Sequence, residues 1–223
     1  MSRKLLDKNF CVIPWTGFEV EPNGEVKNCV ISKDIIGNIH KTDIEEIINN
    51  NPLREQMLDG KYPSNCEGCY LQEKHRPTNF DSISSRLYYT KELATKIPKN
   101  LFDNSRNFVL KHIDVRWSNS CNQACVYCGP VFSSKWAKEM GVKIPKDRER
   151  SESLKKYIYK NIKTLENVYL AGGEPPWKLE RFLNQFKLHI KTRTQDNLQY
   201  VIFHINLQKC IQDSKISPGV GFS

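Results

Sequence analysis

The chain has 223 residues, 39% of them apolar and 26% charged, a composition that excludes a fibrous or intrinsically disordered protein. No apolar run approaches the roughly 18 residues that a membrane helix needs. The N-terminus, MSRKLLDKNFCVIPW, lacks the apolar segment and cleavage site of a signal peptide. We therefore expect a cytoplasmic protein with no membrane partner. In that reducing compartment the 8 cysteines favour metal binding or catalysis over disulfide bonds.

The formal net charge is +9, from 34 basic and 25 acidic residues. The basic residues are spread over most of the chain, and the segment KDRER at residues 146–150 mixes in acidic ones. This distribution favours a solvated, lysine-rich surface over a nucleic-acid partner.

The first half of the chain predicts a hairpin followed by two short helices. Residues 10–32 read as two extended runs around the turn Pro22-Asn23-Gly24-Glu25. A capping-box pattern at residues 42–45 precedes apolar residues at positions 44, 47 and 48, which predicts a helix. Asn51 and Pro52 predict the start of a second helix, and Gly60 its end.

The second half predicts strands that alternate with helices, after a boundary region at Ile97-Pro98. The apolar patterns indicate strands at residues 112–120, 167–176 and 199–206, and helices at residues 133–140, 154–165 and 181–191. Residues 142–152 read as a charged linker. This alternation predicts a parallel sheet with crossover helices.

Three cysteines lie in the eight residues CNQACVYC, from Cys121 to Cys128. An iron–sulfur cluster normally takes four thiolates, so a loop that supplies three leaves one iron open to another ligand. Structural zinc prefers four protein ligands and fits this loop poorly. Buried unliganded thiols are the other alternative, but the polar residues between the cysteines argue against it.

Four more cysteines, Cys11, Cys29, Cys66 and Cys69, lie in the N-terminal half. The first two flank the predicted hairpin and the last two form a Cys-x-x-Cys knuckle. Four thiolates suit either zinc or a fully ligated [4Fe–4S] cluster, and the ligand count does not separate the two. Four unliganded thiols remain the third alternative.

The spacing Cys121-x3-Cys125-x2-Cys128, with Tyr127 before the last cysteine, resembles the signature of the radical S-adenosylmethionine (SAM) enzymes. The turn Gly172-Gly173-Glu174-Pro175 after the next predicted strand resembles the family's second motif. The resemblance implies that the three cysteines hold a [4Fe–4S] cluster whose open iron binds SAM. It also implies that Glu174 and the adjacent backbone receive the SAM amino group and that Tyr127 lies near the adenine. Asn206, at the end of the third strand, is a weaker match to a cofactor-binding position of the family.

The spacing Cys-x12-Gly-x4-Cys followed by Cys-x-x-Cys resembles the SPASM modules of these enzymes, and the shorter twitch form in particular. The resemblance implies that Cys11, Cys29, Cys66 and Cys69 hold a second, auxiliary [4Fe–4S] cluster, with zinc the less favoured occupant. Such modules usually follow the barrel, whereas here the pattern precedes it. Cys210 is left over and reads as an incidental thiol.

The expected fold is therefore α/β. A small Cys-rich α+β module at residues 1–98 precedes a partial (β/α) radical-SAM-type barrel of about three parallel strands at residues 99–223, truncated within the barrel. The expected function is reductive cleavage of SAM to a 5′-deoxyadenosyl radical for modification of a peptide or another polar substrate. A reductant such as flavodoxin or ferredoxin is the implied electron donor. The alternative is a non-catalytic metal-binding remnant or a zinc-stabilised basic binding module.

Overall fold

The computed structural model describes residues 9–75, 84–93, 95–98, 100–116, 118–121, 123–144, 148–170 and 201–203. The predicted sites at Gly172, Gly173, Glu174, Pro175 and Asn206, together with Cys210 and the predicted helix at residues 181–191, lie outside these residues. Among the described helices, none has the length and apolar character that crossing a membrane requires.

Within the described ranges, six strands form one mixed sheet in the order β3-β2-β1-β4-β5-β6. Their bounds are Gly17–Val20 (β1), Glu25–Lys27 (β2), Ile35–Asn38 (β3), His112–Val115 (β4), Asn167–Leu170 (β5) and Val201–Phe203 (β6). The first three are antiparallel neighbours, whereas β1, β4, β5 and β6 are parallel. The α/β class and the parallel order of the last three strands are confirmed, while the barrel stays a prediction.

The hairpin expected to belong to a separate module is hydrogen-bonded to the C-terminal strands. Strand β1 pairs in parallel with β4, with Phe18 opposite Ile113 and Glu19 opposite Asp114. The division at residue 98 stays a prediction, but strands from both sides of it share one sheet.

The predicted turn at residues 22–25 joins β1 to β2. Gly24 has a φ of 82°, and a Cβ atom there would lie 2.5 Å from Cδ2 of the His40 ring. Both the left-handed backbone and the close approach explain why glycine occupies this position. Strand β3, which the sequence did not predict, pairs with β2.

The helices are Ile13–Thr16 (α1), Ile44–Asn49 (α2), Pro52–Leu58 (α3), Glu67–Lys74 (α4), Ser85–Leu93 (α5), Ser134–Glu139 (α6) and Arg148–Lys160 (α7), with 3₁₀ turns at Ser64–Cys66 and Leu101–Asp103. The two helices expected near residues 44 and 52 are confirmed. The Asp43 side chain caps α2 by accepting a hydrogen bond from Glu45 N, and Asn51 caps α3 through Leu53 N. Helix α7 begins inside the segment predicted as a linker and ends before Leu165, so those predicted bounds were wrong.

The described part of the chain packs around two apolar clusters. One contains Phe18, Ile113 and Val168 of the sheet and packs against Leu154 and Ile158 of α7. The other gathers aromatic and aliphatic residues from segments on both sides of residue 98, namely Phe10, Val12, Ile13, Trp15, Leu53, Met57, Leu93, Leu101 and Phe102, with Cys11 among them. The core therefore crosses the predicted boundary, as the sheet does.

Arg54 is fully buried and donates to three backbone carbonyls. Its guanidinium binds the oxygens of Pro14 at 2.7 Å, Ile48 at 2.7 Å and Ser105 at 2.8 Å. These carbonyls belong to three separate segments, one of which follows Cys11 closely. Arg54 thus ties the polypeptide around Cys11 to α2 and to the chain that leads into β4.

Candidate metal centres

The four N-terminal cysteines come from three segments that meet at the second apolar cluster, the one that contains Phe10, Trp15 and Phe102. Cys11 precedes α1, Cys29 follows β2, and Cys66 and Cys69 lie at the start of α4. The Cys11 thiol interacts electrostatically with those of Cys29, Cys66 and Cys69. All four are free thiols, as are Cys121, Cys125 and Cys128. The structure therefore brings the thiol of Cys11 within electrostatic range of the other three, and their role as common ligands stays a prediction.

Burial raises the pKa of each of these four thiols. The pKa of Cys29 rises to about 11 and that of Cys66 to about 12, with burial the largest cause in both. Burial also raises the pKa of Cys11 well above its ordinary value, and the neighbouring Cys29 adds to the rise. The metal-free thiols are thus protonated near neutral pH, and a metal must displace those protons to bind.

Backbone N–H groups point at three of the four sulfurs. Cys11 accepts from Ile13, and Cys29 accepts from residues 31 and 32. Cys69 accepts from Ser85 and Arg86 at the start of α5. Each of these hydrogen bonds lowers the thiol pKa against the effect of burial, because an N–H donor stabilises the thiolate. Such donors suit anionic sulfur ligands, so the residues present fit a thiolate-bound cluster.

Gly68, inside the Cys66-Glu67-Gly68-Cys69 knuckle, allows α4 to approach the loop after Cys29. A Cβ atom at Gly68 would lie 2.9 Å from Cγ2 of Ile31. A side chain there would push the loop away from α4 and separate Cys29 from the knuckle. The glycine is therefore explained by close packing between the two segments.

The three-cysteine loop follows β4, at the carboxyl end of the parallel strands. Its backbone is held by the start of α6: Ser134 N–H and Oγ donate to the oxygens of Asn119 and Cys121, and Trp136 Nε1 donates to Cys125 O at 2.9 Å. Cys128 N–H donates to Cys125 O at 3.0 Å, which closes a turn around the last two cysteines. The loop geometry is thus set by backbone contacts that leave the three thiols partly exposed.

Val126 and Tyr127 project from this loop, with 97% and 90% of their surface exposed. A hydrogen bond with Cys125 raises the pKa of Tyr127. The structure therefore places Tyr127 on the exposed side of the loop beside one predicted ligand. Its predicted role near the adenine of SAM stays a prediction.

A polar cluster, consisting of the buried Glu19 and Asp114 and the partly buried Arg116, lies on strands β1 and β4 and the residue that follows β4. Arg116 Nε lies 3.1 Å from Glu19 Oε1, and its Nη2 lies 3.3 Å from Asp114 Oδ2. The guanidinium also stacks over the ring of Phe132, 5.0 Å from the centroid, and Phe132 follows the cysteine loop. Arg116 thus joins β1 and β4 to the chain that leaves the loop.

Sequence reasoning missed this polar cluster. The signal was present, since charged residues alternate with apolar ones in both Phe18–Glu21 and Ile113–Arg116. What the pattern could not reveal is that the two strands are neighbours.

Within the part of the chain that the structure describes, no three or more His, Cys, Asp or Glu side chains form a ready-made metal-ion site. The assignment of all seven cysteines as ligands therefore stays a prediction.

Residues 11–70 match the family model of SPASM, an iron–sulfur cluster-binding domain. The matched range contains Cys11, Cys29, Cys66 and Cys69 and ends one residue after the last of them. The match confirms that this part of the chain resembles an iron–sulfur-binding module. It also supports an auxiliary-cluster domain of the kind associated with radical SAM enzymes. No curated protein and no solved structure matches the chain.

Proposed function

We propose that the chain is a radical SAM enzyme with an auxiliary [4Fe–4S] cluster in its N-terminal part. The observation that carries the proposal is the SPASM match over residues 11–70, a range that spans all four N-terminal cysteines. The catalytic half of the proposal is supported by the order of β4, the three-cysteine loop, helices α6 and α7, and the parallel strand β5.

The N-terminal cysteines Cys11, Cys29, Cys66 and Cys69 would hold the auxiliary cluster. Support comes from the convergence of the four thiols and from the N–H donors that favour their anionic form. The second apolar cluster, around Phe10, Trp15 and Phe102, excludes water from one side of the site. This part of the chain thus supplies thiolates, hydrogen-bond donors and a dry surface.

Cys121, Cys125 and Cys128 would hold the SAM-binding cluster. By resemblance, Gly172, Gly173, Glu174 and Pro175 would position the amino group of SAM, with Tyr127 and Asn206 near the nucleoside. When cluster, SAM and an electron are supplied, the chemistry is one-electron reductive cleavage of SAM to methionine and a 5′-deoxyadenosyl radical. The chain's own contribution is to fix the loop through α6 and to orient the bound SAM.

The substrate is proposed to be a peptide or another polar molecule, and the electron donor a flavodoxin- or ferredoxin-like protein. Both proposals rest on the family resemblance, since SPASM-type modules accompany peptide- and protein-modifying members.

The test is formation of 5′-deoxyadenosine from SAM. The chain is reconstituted anaerobically with iron and sulfide, checked for cluster absorbance and given a strong reductant. We expect product above that of the Cys125→Ala variant, which should hold about four fewer irons per chain because it loses one cysteine-ligated cluster. A wild-type chain that holds its clusters but forms no product would instead indicate a non-catalytic iron–sulfur protein.

A further inference from the structure

A buried arginine, Arg86, lies beside the four-cysteine site, and the proposed function assigns it no role. Arg86, in the first turn of α5, is 6% exposed. Its Nη1 donates to Phe10 O at 2.8 Å, directly before Cys11, and its Nε donates to Glu73 Oε1 at 2.9 Å. Its side chain therefore bridges the residue before Cys11 and the helix that carries Cys69.

Arg86 contacts the site in two distinct ways. Its backbone N–H is one of the two donors to Cys69. Its guanidinium acts electrostatically on the thiols of Cys11 and Cys66 as well as Cys69. The charge is held in place by Glu73 and by the ring of Tyr70, whose centroid lies 5.7 Å from the guanidinium carbon.

Among the described residues, three carboxylates act on these thiols in the opposite direction. Glu73 acts on Cys69, Asp34 on Cys66, and Glu19 on Cys29, and each of these carboxylates disfavours negative charge on sulfur. Arg86 opposes them from a buried position, where charges interact more strongly than they do in water. Four thiolates around an iron–sulfur core leave the site with a net negative charge, which grows by one unit on reduction.

We infer that Arg86 is a positioning residue that sets the reduction potential of the auxiliary cluster, by stabilising the additional negative charge of the reduced state. The inference rests on the proposed function, because it needs a cluster at Cys11, Cys29, Cys66 and Cys69. Glu73 acts in the opposite direction and also holds the guanidinium against the site.

The test measures the midpoint potential by a redox titration followed by electron paramagnetic resonance. The full-length chain carries Cys121→Ala, Cys125→Ala and Cys128→Ala, so that the remaining signal belongs to the auxiliary cluster. In this background Arg86→Gln should lower the ratio of reduced to oxidised cluster about tenfold at a fixed potential, a shift of about 59 mV to more negative values. Arg86→Lys keeps the charge and should stay closer to the parent, and Glu73→Gln should shift the potential to more positive values.

The opposite signs expected for Arg86→Gln and Glu73→Gln separate charge from packing, since structural damage has no reason to reverse its sign between the two variants. Iron content is measured for every variant. A background chain without iron would refute the auxiliary site, and the inference with it. A background chain with about four irons, in which the two variants shift the potential in the same direction or not at all, would refute the inference and leave the proposed function intact. If Arg86→Gln fails to hold iron, the midpoint potentials of Glu73→Gln and Arg86→Lys are compared instead. An unchanged midpoint potential in Glu73→Gln then overturns the inference.

Discussion

The buried carboxyl group of Glu19 should make the chain less stable as the pH rises through neutrality. Glu19 is 2% exposed, and its Oε2 is buried with no hydrogen-bond partner. Burial is the largest cause that raises the pKa of Glu19 to about 7. The neighbouring Asp114 adds to the rise, whereas Arg116 opposes it. The folded chain therefore holds a proton on Glu19 at a pH where the unfolded chain has lost it.

The size of the effect follows from proton linkage. The folded pKa is about 7 and the ordinary value is 4.5, so the folded state binds the extra proton between these limits and stability falls as the pH rises. Integrated from about pH 6 to about pH 8, one such group lowers the free energy of unfolding by about 1.4 kcal/mol. The buried His112, whose pKa falls to about 4, acts with the opposite sign, because only the unfolded state gains its proton. The contribution of His112 is common to the wild type and to a Glu19 variant, and it cancels in their difference.

The assay is urea unfolding of the wild type and of Glu19→Gln at several pH values across this interval. Glu19→Gln alters the contact with Arg116, so the readout is the pH dependence of the stability difference between the two chains and not its absolute size. We expect the variant to gain about 1.4 kcal/mol relative to the wild type between about pH 6 and about pH 8. Glu46→Gln, on the exposed face of α2, is the control for loss of one carboxylate. A difference between Glu19→Gln and wild type that stays constant with pH would refute the reasoning.

Three further substitutions test the packing and the ligands. Arg54→Met leaves three carbonyls without their donor and should lower the free energy of unfolding by about 4 kcal/mol in urea titrations; a loss no larger than that of the exposed Arg106→Met control would contradict it. In the same assay Gly24→Ala should lower the free energy of unfolding by about 2 kcal/mol, and by more than Gly60→Ala does. Both glycines have a positive φ, but of the two only Gly24 has a neighbour that an added Cβ atom would meet. Equal losses of stability in the two variants would contradict the steric argument. Cys66→Ala should remove about four irons and lower the melting temperature, since a bound metal contributes folding free energy; unchanged iron and melting would show that the assigned ligand set is wrong.

The sequence predicted the elements whose signals are local. The turn at Gly24 and the starts of α2 and α3 are specified by residues within a few positions, namely a left-handed glycine and the capping side chains of Asp43 and Asn51. Cysteine spacing is also local information, and it singled out the four residues that the SPASM match contains. These predictions succeeded because each depends on chemistry within one short segment.

The pairing of β1 with β4 could not be predicted in the same way. The two strands are far apart in the chain, and nothing in either sequence identifies the other as its neighbour. The polar cluster of Glu19, Asp114 and Arg116 depends on this pairing, and so it was missed as well. Arg86 was missed for a related reason, because its importance lies in its contacts with Phe10 and Glu73, which belong to other segments of the chain.

The β1–β4 pairing has a consequence for how the two cysteine sites are related. The segment after Cys11 runs through α1 into β1, and β4 runs towards Cys121. Backbone hydrogen bonds join the two along their length, with Val109 N donating to Trp15 O at 3.0 Å, Lys111 N to Thr16 O at 2.7 Å and Arg116 N to Val20 O at 2.9 Å. The four-cysteine segment therefore supplies the strand that covers the edge of β4. Without it, the strand that carries the three-cysteine loop would present unpaired backbone groups to solvent, and Arg116 would lose Glu19, the partner it has on β1. The SPASM-like segment is thus part of the structural support of the proposed SAM site, in addition to being the proposed holder of a second cluster.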